Sequence, residues 1–151
     1  MTPDAMNAIR RGLLDQTEIA DAAEDRIYAY KIPRAVVDGG LERAIILVRP
    51  SGRSPSVGDR SRALIGRPRF DLWHYGASVD EAGALYWLTY EWLKELSRVR
   101  VALTDGDALI HDAVVEGGPL HFDDPDSDAP VVMGVYSADV AEEYLPDLMV
   151  S

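Results

Sequence analysis

Apolar and polar positions are most clearly ordered over residues 69–96, RFDLWHYGASVDEAGALYWLTYEWLKEL. Phe70, Leu72 and His74 alternate with Arg69, Asp71, Trp73 and Tyr75. This period of two, rich in aromatics, predicts a strand. Gly76 ends it. Ser78 stands three residues before Glu81, the spacing of a capping box at a helix start. From there Ala82, Leu85, Tyr86, Thr89, Trp92, Leu93 and Leu96 recur at helical spacing. The remaining faces of this long helix carry Trp87, Leu88 and Tyr90. A helix apolar on more than one side has two surfaces to cover, here its own sheet and a partner chain.

The other segments are shorter. Thr2 is placed to cap a first helix, with Pro3 at the tolerated first position. Ala5, Met6, Ile9 and Leu13 form the stripe of that helix, Arg10 and Arg11 lie outside it, and Gly12 weakens it. The acid-rich stretch Asp15 to Asp25 reads as a loop or a poor extension of the helix. Arg26 to Tyr30 suggests a short strand ending before Pro33, and Gly39-Gly40 a turn. Arg43 to Arg49 is apolar on both faces, as expected of a central strand. After the long helix, Ala108 to Val115 reads as a strand and Glu116-Gly117-Gly118-Pro119 as a turn, with Leu120 to Phe122 pairing back. An acidic turn, Asp123 to Asp128, leads to a last strand, Pro130 to Tyr136, and a frayed tail from Ala138. Strands cluster rather than alternate with helices. The expected class is therefore α+β: a mostly antiparallel sheet of about four to five strands, packed by an N-terminal helix and one long helix. Residues 1–151 make one domain, with an extended arm at about 50–66 and an acidic C-terminal region at about 120–151.

Composition adds three points. Apolar residues make up 47% of the chain, which sets global disorder aside. There is no cysteine, so neither a disulfide framework nor a thiolate site is available, and assembly inside a cell is expected. The first residues lack the apolar core of a signal peptide, and no apolar run approaches the ~20 residues that span a bilayer, so no membrane partner is expected.

Charge is more informative in its distribution than in its net value of −11. Residues 43–69 hold seven arginines against the single acid Asp59, whereas residues 104–147 hold twelve acids and no lysine or arginine. One reading is a solvated acidic surface beside a basic loop. The other is a self-complementary dipole, in which copies meet head to tail through Arg53, Arg60, Arg62 and Arg67 on one side and Asp123 and Asp124 on the other. Such heterologous contacts close into rings or run on as filaments. Trp87 and Tyr90 complete the candidate interface for a subunit or a tube. The aromatics also suit base stacking and the arm suits phosphate, but a nucleic-acid reader is more often basic overall.

Catalytic patterns are sparse. There is no phosphate-binding glycine motif and no nucleophile elbow. If Gly117-Gly118 closes a two-residue hairpin, Asp112, His121 and Asp123 share a face, a possible three-ligand metal site of a small hydrolase. An exposed hairpin with ordinary polar decoration is the competing reading. Asp124, Asp126 and Asp128 start like a calcium loop, but Ala129 and Val135 stand where that loop needs Gly and Glu.

The unit running from Arg69 to Gly76 and on through Ser78 to Ala82 resembles the tail terminator, or tail completion, family of long-tailed bacteriophages and related tailed particles. The Arg26-Ile27-Tyr28 strand and the 43–49 strand fit as well, so the resemblance covers roughly residues 5–116. It implies a structural virion protein with no enzyme activity and no cofactor. Such a protein forms a ring, usually a hexamer, on the tail tube protein, stops tube growth, and presents a surface to the head-tail connector protein. DNA only passes through the lumen. The resemblance also implies a place in the tail-neck region of the virion, after assembly in the host cytoplasm. A stopper or adaptor of the neck is the alternative within the same setting, and the metal-dependent hydrolase is the alternative from another class.

Overall fold

The computed structural model describes residues 4–51, 67–104 and 106–142. In chain order these form α1 (Ala5–Leu14), α2 (Thr17–Ala22), β1 (Ile27–Ala29), α3 (Arg34–Asp38), β2 (Ile45–Pro50), β3 (Arg69–Tyr75), α4 (Val79–Glu95), β4 (Ser97–Leu103), β5 (Gly106–Asp123) and β6 (Pro130–Glu142). The class is α+β, as expected, but the sheet is larger: six strands in the order β1-β2-β3-β6-β5-β4. β1 runs parallel to β2, and every other pairing is antiparallel.

Local chemistry sets the helices. Asp4, rather than Thr2, caps α1: its carboxylate accepts from the Asn7 amide at 3.3 Å. Thr2 and Pro3 lie outside the described residues. Met6, Ala8, Ile9 and Leu13 are buried. Gly12 has a use the propensity argument overlooks. A Cβ there would stand 2.9 Å from Cη2 of Trp92, so the missing side chain makes room for the Trp92 ring to rest on α1. The acid-rich stretch after α1 contains the short helix α2, with Ile19 and Ala20 turned inward. α4 starts as its sequence requires. The Ser78 hydroxyl accepts from the Glu81 amide at 3.2 Å, and the Glu81 carboxylate accepts from the Ala77 amide at 3.1 Å.

The sheet curls around α1. Residues of α1 share a core with Ile27, Ile46 and Val48 at one end of the sheet and with Val101, Ala108 and Ile110 at the other. Shifts of register in β5, between Ile110 and Asp112 and around Gly117, provide the bends. α4 packs on the same side, against β3, β5 and β6. Each large apolar side chain buried here is worth about 1.5–3 kcal/mol. A smaller core lies on the opposite face, where Ile45, Leu47, Tyr75 and Val131 are covered by Leu41, Val36 and Ala129.

Three more differences from the expected fold concern the strands. β4 goes unpredicted, although Val99, Val101 and Leu103 alternate with exposed Arg98, Arg100 and Ala102. The turn expected at Glu116 to Pro119 is absent, because β5 runs on through it to Asp123. The reversal occurs instead at 124–129. There the Asp124 carboxylate accepts from the amides of Asp126 and Ser127 at 2.9 and 3.0 Å, and the Asp124 amide donates to the Ala129 carbonyl at 2.8 Å. Lastly, β6 continues past Tyr136 to Glu142, where a frayed tail was expected.

Candidate interaction surfaces

Of the arginines proposed to make contacts, Arg53, Arg60 and Arg62 lie outside the described residues. Arg67 lies just before β3. Asp112 and Asp139 face each other across β5 and β6, and the Arg67 guanidinium pairs with both, at 3.8 Å from Asp112 and closer to Asp139. The hydrogen bond to Asp139 is the main cause that raises its pKa further. Arg67 thus ties the arm's return point to the acidic strands of its own chain.

α4 presents two distinct sides. Ala82, Leu85, Tyr86, Thr89 and Leu93 are buried. Trp92 is only partly buried, its ring resting on α1 at Gly12. On the other side Trp87 is 50% exposed. Its ring meets those of Tyr86 at 4.9 Å and Tyr90 at 5.0 Å, both edge-on, and the Lys94 ammonium lies over Tyr90 at 5.9 Å. Trp87 and Tyr90 therefore form a pre-ordered aromatic surface.

Beneath it, His74 is wholly buried. The Val132 carbonyl can only accept, so Nδ1 donates to it at 2.8 Å; Nε2 stands 2.6 Å from the Thr89 hydroxyl oxygen, whose single proton is shared between this nitrogen and the Tyr86 carbonyl at 2.9 Å. Burial lowers the His74 pKa from 6.5 to about 4, so the neutral ring is the resident form. The Tyr136 hydroxyl is pushed up, first by burial.

The two acids of the turn part ways. Asp123 is exposed, whereas Asp124 points inward and accepts from the Tyr75 hydroxyl at 2.8 Å. Burial alone would raise the Asp124 pKa, but the hydrogen bonds from Tyr75, Asp126 and Ser127 outweigh it and hold the carboxyl below its usual range. Asp124 therefore serves the fold of the turn.

The metal-site reading fails on register. Asp112 lies opposite Asp139, His121 opposite Val132 and Asp123 opposite Pro130. Asp112 and Asp123 are separated along one strand by roughly 36 Å at ~3.3 Å per residue. Among the described residues no group of three or more metal-ligating side chains converges. A cleft between α2 and α4 is lined by Arg26, Arg43 and Glu81, each already hydrogen-bonded within the chain. No helix among the described residues is long and apolar enough to cross a membrane.

No family model matches the chain, and no curated protein sequence does. Among solved structures, a chain of the "Virion of native gene transfer agent (GTA) particle" shares the fold. The TM-score is 0.62 and the identity 14%, over 90% of this chain and 93% of that one.

Proposed function

We propose that this chain is a structural protein of a tailed, phage-like particle. In this reading it is a tail-terminator subunit that forms a ring, caps the tail tube, ends tube elongation and offers the surface where the head joins. The reading rests on the fold shared with a virion chain over nearly the full length of both. The strand, glycine and capped helix of residues 69–95 agree with it. Copies of the chain meet in the ring, expected to be a hexamer, with the tail tube protein below and the head-tail connector protein above. DNA passes through the lumen. Arg53, Arg60, Arg62, the Trp87–Tyr90 surface and Asp123 are the contact groups, and no catalytic step is assigned.

Negative-stain imaging of the purified chain, alone and added to growing tail tubes, tests this. Rings on the tube ends and an arrest of elongation are the expected result. Tubes that lengthen as freely with the protein as without it would overturn the reading.

A further inference from the structure

β5 is paired unevenly. β6 accompanies it from Ala108 to Asp123, whereas β4 covers only Gly106 to Asp112. Among the described residues no strand lies on the outer side of residues 113–123. Exposure reflects this. Val114 and Val115 point to opposite faces, yet they are 40% and 37% exposed, and Leu120 is 51% exposed. A half-buried strand would hide one of the two valines.

A bare edge presents unpaired N–H and C=O groups, and proteins usually guard it with proline, bulges or lysine. Here the guard covers only the middle. Gly118, at φ +106, is pressed so close to β6 that a Cβ would meet the Met133 carbonyl oxygen at 2.8 Å, and Pro119 has no N–H. Residues 113–116 and 120–123 remain as stretches able to pair. The charged side chains on this edge are the acids Glu116 and Asp123, with Asp112 at its start. Asp112 already has arginine, Arg67, as its counter-ion.

An occupant of this edge must be extended, carry arginine or lysine, and bring some apolar side chains for Val114, Val115 and Leu120. We propose that the 113–123 edge of β5 is a strand-addition site for a second copy of this chain, which supplies residues 52–66. That sequence holds Arg53, Arg60 and Arg62 against Asp59, with Val57 and Ala63-Leu64-Ile65 as its apolar part. In sequence the segment joins β2 to β3, and β6 stands between β3 and β5 in the sheet. Main-chain pairing gives such a contact its affinity, and the charges set its direction. The assignment rests on the ring-forming reading above and names the surface through which neighbours meet.

The chain has no cysteine, so disulfide trapping is clean. Val114→Cys and Ser61→Cys are purified separately, mixed and oxidised. A mixed-chain disulfide is expected, severalfold more abundant than with Glu18→Cys in place of Val114→Cys, and weakened by high salt. Rings that form without this disulfide overturn the edge assignment and spare the ring. A double variant, Val114→Cys with Ser61→Cys, that closes only within one chain overturns the second-copy assignment. A mixed disulfide without rings keeps the edge site and removes the ring. A chain that neither assembles nor cross-links loses both.

Discussion

Strand β3 and the outer half of β5 each carry several large apolar side chains, yet they live in different surroundings. In β3, Phe70, Leu72, His74 and Tyr75 are buried, because β2 and β6 flank the strand and helices or turns cover its two faces. In residues 113–123 of β5, side chains on both faces stay exposed, and among the described residues no strand lies on the outer flank. Apolar content therefore does not by itself place a strand inside. Flanking strands decide it, and they come from distant parts of the sequence.

The largest test of this contrast is truncation. Phe70→Ala should cost about 3–5 kcal/mol of unfolding free energy, read from urea denaturation. Leu120→Ala should stay within about 0.5 kcal/mol. Similar losses at both sites would mean that the β5 edge is covered in the folded chain.

Acid provides the next test, because His74 belongs to the covered strand. The unfolded imidazole takes a proton below 6.5, whereas the folded one resists until about 4. In that window the unfolded state holds more protons, so stability rises with pH. The contribution is complete above pH 6.5 and is lost on the way down to 4, at about 1.4 kcal/mol per unit. Denaturation at pH 7.5 and pH 5 should differ by about 2 kcal/mol. A flat profile would show that the buried ring accepts its proton in the folded state. Asp124 acts in a separate window. Its depressed pKa costs stability only as pH falls below about 3.8.

A smaller effect is expected at the turn that joins the two long strands. Asp124→Ala leaves the Tyr75 hydroxyl and two amides without their acceptor, at a cost of about 1–3 kcal/mol. The exposed Asp123→Ala should change stability by less than about 0.5 kcal/mol. Equal losses would mean that the inward Asp124 contacts do not hold the turn. The smallest expected change is at Trp87. Trp87→Ala should leave the melting temperature nearly unchanged while impairing assembly, whereas Trp92→Ala, which strips the ring from Gly12, should lower it. Matching losses in melting temperature, with assembly intact for Trp87→Ala, would place Trp87 in the core.

Much of the fold is legible in the sequence where one local signal dominates. β3 and α4 follow from the alternation at 69–75 and from Ser78 with Glu81. The all-apolar middle of β2 announces a central strand. Legibility is lost where signals compete. Gly117-Gly118-Pro119 looks like a turn, but pairing with β6 continues past it and the Asp124 hydrogen bonds make a better reversal five residues on. In the run Asp123, Asp124, Asp126 and Asp128 nothing local marks Asp124 as the inward one. That depends on Tyr75, 49 residues away. The bare edge of β5 is likewise invisible in sequence, since it is defined by where β4 stops. The VRVAL alternation was the one signal that would have revealed β4.

The way the sheet wraps α1 also has a consequence in time. α1 is residues 5–14, yet part of its cover comes from β4 at 97–103 and from Ile110. A ribosome adding roughly 5–20 residues per second needs about 5–20 s to make the intervening chain. Throughout that interval Met6, Ile9 and Leu13 can be only partly covered, by β1 and β2 once those emerge. A helix made well before β4 and β5 is thus fully enclosed only after they emerge, and until then each growing chain on a shared message carries that apolar stripe partly open to its neighbours.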